Sequence, residues 1–335
     1  MPKSSLPIIS SLLLLALFGE ATRSATPPAH PVLVVANQKE HTALLIDPES
    51  RRELAKISVG VNGHEVTVSP DARLAYVPIY GNSGVGRPGT DGTSIDIIDL
   101  SERKLVSTID LGKPLRPHAA AFGPDGMLYV TAELAQALDV IDPASRKVIA
   151  EIPTGAPESH MFVISPDGSR AYTANVGAGS VSVLDLRKRA LVTVIPIAKT
   201  VQRISISPDG KRVFTHDQNT PRIAVIDTAT NKISGWIDVP ATVYSSKVTL
   251  DGLKLLADSP SGKIFVIDLA GSKLDESFDI PKAVGELLLT PDGRFAYVSC
   301  PQAGMIEVLD VAGHKLLDPI RLTEGVDGLA WANLK

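Results

Sequence analysis

Three histidines occupy corresponding places in the chain: His64, His118 and His160 each stand seven residues before an aspartate, Asp71, Asp125 and Asp167. Imidazole nitrogens at repeated positions bind metals or carry protons when a fold brings them together. Followed further along the chain, the same slot holds Gln202, Tyr244, Gly285 and, by extrapolation, Asp327. If these slots converge, the arc Asp327-His64-His118-His160 offers three imidazoles and a carboxylate. Such a set suits a divalent transition metal such as zinc, copper or iron, with a position left for water or substrate. Glu65, Glu158 and Glu286 lie nearby as outer partners or a general base, and Arg116 and Arg203 can hold an anionic ligand. Two other readings compete. The ring would also serve as a pocket for a small polar ligand without metal, or the histidines would be structural, copied by duplication and bonded across the molecule.

The elements that must position these residues repeat. A Ser-Pro-Asp-Gly turn recurs at Ser69-Pro70-Asp71-Ala72, Gly123-Pro124-Asp125-Gly126, Ser165-Pro166-Asp167-Gly168, Ser207-Pro208-Asp209-Gly210, Leu250-Asp251-Gly252 and Thr290-Pro291-Asp292-Gly293. The steps between its aspartates are 54, 42, 42, 42 and 41. A second marker, two apolar residues and an aspartate, ends at Asp47, Asp99, Asp142, Asp185, Asp227, Asp268 and Asp310. Within each unit, short alternating segments such as Met161–Ile164, Arg170–Thr173, Ser180–Leu184 and Ala190–Ile195 read as strands joined by tight turns. A four-stranded unit with a period just over forty residues points to an all-β fold, a seven-bladed β-propeller of antiparallel blades. The seventh turn would fall near residue 334, so Pro31–Asn37, Thr42–Asp47 and Glu53–Val59 are expected to share a blade with Gly328–Trp331, which closes the ring and removes a free edge.

The first step carries a surplus of about twelve residues, Gly81–Gly92. It joins two strands on the face where the slot opens, and is expected to be a surface insertion or a loop that contacts ligand. Its glycines are not followed by Gly-Lys-Ser/Thr, so it is no phosphate loop. His41 and His216 are expected in loops on the same face, and His314 in a solvated turn.

The chain has 335 residues, a net charge of −4, 44 % hydrophobic residues and one cysteine, Cys300. No broad basic surface supports nucleic-acid binding, and no disulfide framework exists. Lys3 followed by the apolar run Leu6–Phe18 and small residues to Ala25 has the layout of a secretory signal peptide, residues 1–25, too short for a comfortable membrane span. A linker at 26–30 then leads to a single domain, 31–335. The expected location is periplasmic or extracellular.

Leu128-Tyr129-Val130-Thr131-Ala132, Ala171-Tyr172-Thr173-Ala174-Asn175 and Ala296-Tyr297-Val298-Ser299, with the recurring turns, resemble the YVTN-repeat, YncE-like propellers over about residues 31–335. That resemblance implies the propeller fold and a histidine at the slot as part of the repeat, as in Arg116-Pro117-His118. It does not imply one activity, because related propellers act as lactonases, lyases and cofactor-dependent oxidoreductases. The first expectation is therefore a binding propeller, with a small polar ligand or a periplasmic protein partner at the channel mouth formed by His64, His118, His160, Gln202, Tyr244, Asp327, Glu65, Arg116 and Arg203. The alternative is a metal-dependent lactonase, lyase or oxidoreductase using the His-His-His-Asp arc.

Overall fold

The computed structural model describes Met1 and residues 30–85, 87–282 and 285–334. The expected signal peptide and all but the last residue of the linker lie outside these, Met1 apart. Among the described residues the chain forms seven antiparallel sheets arranged as blades, with a single helical turn at Glu133–Ala135. A representative blade runs Ser159–Ile164, Arg170–Asn175, Ser180–Asp185 and Ala190–Pro196 from the axis outward. In the last blade the outermost strand is broken into Lys315–Leu316 and Ile320–Arg321. No helix of the described residues is long and apolar enough to cross a membrane.

Ring closure follows the expected pattern. Val326–Leu334 pairs antiparallel with His30–Asn37, from His30 opposite Leu334 to Asn37 opposite Val326. The shared blade is completed by Thr42–Asp47 and Arg52–Ser58. Each blade is a sheet with two apolar faces, so each face must be covered by a neighbour. The core is accordingly divided into seven clusters, one at each junction between blades. Val34, Leu45 and Val77 meet at one junction and Leu33, Ile46 and Tyr297 at the closing seam.

The two repeated motifs are turn chemistry. Asp47, Asp99, Asp142, Asp185, Asp227, Asp268 and Asp310 each accept a backbone N–H two or three residues on, as Asp99 does from Ser101 and Glu102 at 3.0 and 2.9 Å. Asp71, Asp125, Asp167, Asp209, Asp251 and Asp292 do the same at the hairpins. The residue after each has positive φ. Glycine supplies it everywhere but Ala72, whose φ is 59°, a conformation that costs a residue with a Cβ about 1–2 kcal/mol.

One departure from the repeat leaves a carboxyl stranded. Asp96 and Asp139 hold the same position in neighbouring blades, three residues before Asp99 and Asp142. Asp96 accepts from the backbone of Gly60 at 2.8 Å and the Thr108 hydroxyl at 2.8 Å. For Asp139 the equivalent backbone donor, Gly112, is taken by Asp110 at 2.9 Å, and Glu151 stands across the strand where the other blade has Thr108. Its Oδ1 has no partner. Burial, reinforced by the Glu151 charge, pushes the Asp139 carboxyl up to about 7.

A carboxyl with a raised folded pKa holds its proton on folding, so its contribution is complete below the unfolded value near 3.8 and is lost as pH rises through about 7. Asp139→Asn is expected to match the wild type near pH 4 and to gain on it by roughly 1 kcal/mol per pH unit up to pH 7. Urea denaturation across that range measures this, and a pH-independent difference would contradict it.

Candidate functional site

The slot residues reach the axis because the innermost strands are bulged there. The register between first and second strands slips between Pro117 and Ala120, between Ser159 and Phe162, and between Val201 and Ile204. Each slip releases two residues from the ladder and re-aims them, here His118, His160, Gln202 and Arg203. Asn62, Arg116 and Glu158, each two residues before a slot histidine, have φ of 58°, 52° and 54°. These left-handed residues turn the incoming loop down onto the axis. At the seam, Gly328 donates its N–H to the His64 carbonyl at 2.8 Å, an approach where a Cβ would meet that oxygen at 2.4 Å. The slot glycine, Gly285, is required for space: its Cβ would lie 2.1 Å from Ser299 Oγ and 3.1 Å from Asp327 Oδ1.

The three histidines come together. His64 Nε2 and His118 Nε2 lie 2.8 Å apart, and the His118 ring stacks on His160 with centroids 3.6 Å apart and planes at 30°. Tyr80 packs edge-on against both His64 and His118. His118 and His160 are only 2 % and 3 % exposed, whereas His64 is partly open. Burial first, then the neighbouring His160, holds His64 down to about 3 and His118 well below the usual range. Gln202 Nε2 lies 2.9 Å from His160 Nε2, and its Oε1 accepts from Gln218.

Glu133 anchors this half of the ring and has no counterpart in the repeat. It sits on the helical turn, 1 % exposed. Its carboxylate accepts the Tyr80 hydroxyl at 2.8 Å and makes a short contact with His160 Nδ1. Arg116 approaches Glu133 at 3.7 Å and is clamped to Asp91 at 2.8 and 3.0 Å and to the Gly84 carbonyl at 3.2 Å. Arg116, expected to hold an anionic ligand, is engaged by these acceptors. It pins the insertion, which lies as expected beside the histidines, to the axial face.

The other half is built around Arg203, 4 % exposed. It meets Glu286 at 2.6 Å, Glu65 at 3.0 Å and Asp327 at 4.0 Å, and its guanidinium lies over the Tyr244 ring. Lys247 reaches Glu286 at 3.2 Å, and Gln38 donates to Asp327 at 3.0 Å. Asp327 therefore sits in the ring but with Arg203. Among the described residues the groups whose ligand atoms lie within 4.8 Å of one another are His64, Glu65, His118 and His118, Glu133, His160, and Asp327 is in neither. Of the expected arc of three histidines and Asp327, the carboxylate is held by Gln38 and lies 4.0 Å from Arg203. His216 lies within the strand Arg212–Asp217 instead of in a loop, and its Nε2 lies 2.8 Å from the Ser246 hydroxyl.

Three carboxyls, Glu65, Glu286 and Asp327, gather at one buried guanidinium, and Asp258 feels its charge. Burial, opposed by Arg203 and reinforced by Glu286, pushes Glu65 up to about 7. Burial raises Asp327 and Asp258 well above the usual carboxyl range. The arrangement presents imidazole nitrogens on one side of the axis and carboxyls gathered at one guanidinium on the other. Three of its buried atoms, His118 Nδ1, Arg203 Nε and Asp327 Oδ1, have no hydrogen-bond partner.

Arg203→Met tests the electrostatic balance. Carboxyls with raised folded pKa values contribute fully below their unfolded values, about 4.5 for Glu65, and lose that contribution as pH rises through about 7. Removing the cation raises them further. The variant is expected to lose about 3–5 kcal/mol at pH 8 and distinctly less at pH 5. Equal losses at both values, in denaturant titrations, would exclude this account.

No family model matches the chain, and no curated protein matches it either. Among solved structures, a chain of Kuenenia stuttgartiensis hydrazine synthase superposes with a TM-score of 0.73 at 19 % identity, covering 88 % of this chain and 99 % of that one. At that identity the likeness is one of fold: the chain is a seven-bladed β-propeller.

Proposed function

We propose that this protein is a secreted propeller of the YVTN-repeat, YncE-like type that holds a small polar ligand at the axial mouth of its channel. The observation that carries the reading is the set of buried polar atoms without a hydrogen-bond partner on His118, Arg203 and Asp327, all at one place. An unsatisfied buried polar group costs about 1–3 kcal/mol, so three of them in one ring form a surface that gains from a ligand supplying donors and acceptors. Partly exposed His64, Gln202, Tyr244 and Lys247 rim this surface and give it access to solvent. Location in the periplasm or the medium rests on the N-terminal layout of Lys3, Leu6–Phe18 and Ala21 or Ala25.

Two measurements bear on this. A thermal-shift screen of amino acids, hydroxy acids and sugars, run with and without zinc, is expected to find a class that stabilises the wild type. At a concentration near 100 Kd the gain is about 2.7 kcal/mol, and it should vanish in Tyr244→Ala. No stabilising class, or one indifferent to both Tyr244→Ala and Gln202→Ala, would count against the site. Intact mass of exported protein should place the mature N-terminus just after residue 21 or 25, and a full-length mass would refute export by cleavage.

A further inference from the structure

We infer that His64, Glu65 and His118 form a binding site for one divalent transition metal of the zinc class, an inference that rests on the channel-mouth reading and narrows it. Proton positions carry the first step. His64 Nδ1 faces two acceptors, the Asn62 carbonyl and side-chain oxygens, both at 3.2 Å. The ring proton therefore sits on Nδ1, and Nε2 presents a lone pair. That lone pair points at His118 Nε2, 2.8 Å away. If His118 answers with an N–H, its buried Nδ1 is left as an acceptor with nothing to accept from. If His118 keeps its proton on Nδ1, two lone pairs face each other and only a cation between them makes the contact favourable. With metal–nitrogen bonds of about 2.0–2.1 Å, tetrahedral nitrogens stand roughly 3.3 Å apart, so the pair opens by only about half an ångström to take an ion.

Glu65 supplies the third donor. Its carboxylate lies within 4.8 Å of both imidazole nitrogens, and its Oε1 is held by Arg203 at 3.0 Å, a cation that Glu286 also holds. Two imidazoles and one carboxylate suit zinc and its neighbours, while calcium and magnesium prefer all-oxygen sets. His64, the partly exposed member, gives the site access to solvent. Arg203 keeps Glu286 as partner when Glu65 turns to the ion.

The other tight group, His118, Glu133 and His160, does not fit a cation. Glu133 is already committed to the Tyr80 hydroxyl and to His160, and the Arg116 guanidinium lies 3.7 Å away. His160 holds its proton on Nδ1 towards Glu133, and its Nε2 faces the Gln202 amide. Stacking of His118 flat on His160 also keeps their in-plane lone pairs side by side, not convergent. His160 thus supports the His118 ring and does not ligate.

Untagged protein, dialysed against chelator, is titrated with zinc chloride by calorimetry and with cobalt chloride by visible absorption. One zinc per chain and the intense bands of four-coordinate cobalt are expected. His118→Ala and Glu65→Gln should each weaken zinc by more than the about 100-fold typical of losing an outer partner. His160→Ala and Asp327→Asn should keep one-to-one uptake. Where His118→Ala does not fold, His64→Gln, at the partly exposed member, makes the same test. Folded wild type that takes up no zinc, or uptake that survives both His64→Gln and Glu65→Gln, overturns the assignment. If zinc fails but a polar compound still binds in a Tyr244-dependent way, the metal site falls and the channel-mouth reading stands. If neither binds, both fall.

Discussion

Everything in this molecule depends on the two apolar faces of a four-stranded sheet. A blade alone cannot cover both, and a row of blades would leave its first and last faces wet. Only a closed ring satisfies all of them, which is why the core consists of seven separate seams and not one centre. The consequence for function is direct. Because stability is spread around the seams, the axis itself need not be apolar, and the innermost strands are free to carry histidines, carboxylates and an arginine there.

That freedom is bounded by electrostatics. The axis contains more carboxyls than cations, and the chain manages them by grouping. Arg203 gathers Glu65, Glu286 and Asp327 on one side, while Glu133 is fixed by hydroxyl and imidazole donors on the other. The histidines lie between, and burial holds His64 and His118 low. Glu65 belongs to both halves, close to His64 and His118 and in contact with Arg203. It is the residue through which a change in one half is felt in the other.

How much of this the sequence disclosed varies with how far each feature obeys the repeat. The ring, its closure by Val326–Leu334 and the caps at Asp47 through Asp310 follow from period and turn chemistry alone. The convergence of His64, His118 and His160 follows from the same register. Direction around the axis does not, so Asp327 was expected with the histidines and sits with Arg203, because Gln38 holds its other oxygen. Partners outside the repeat were also hidden. Glu133 lies on a short turn that no other blade shares, Tyr80 immediately precedes the insertion and Asp91 lies within it; nothing in their spacing ties them to His160 or Arg116. The positive φ at Asn62, Arg116 and Glu158 had no glycine to announce it.

The seam joins these levels. Val326–Leu334 completes the shared blade, and the same strand brings Asp327 to Arg203 and lets Gly328 donate to the His64 carbonyl. A side chain at 328 would strike the backbone of His64 and Glu65, so the histidine site and the acidic cluster are both registered against the last strand to be made. Closing the ring and assembling the axial site are therefore a single structural event. An open or frayed propeller would lose the fit at His64 and Glu65 even with its other blades intact. Placing the candidate site against the closing strand ties any function there to complete folding of the chain.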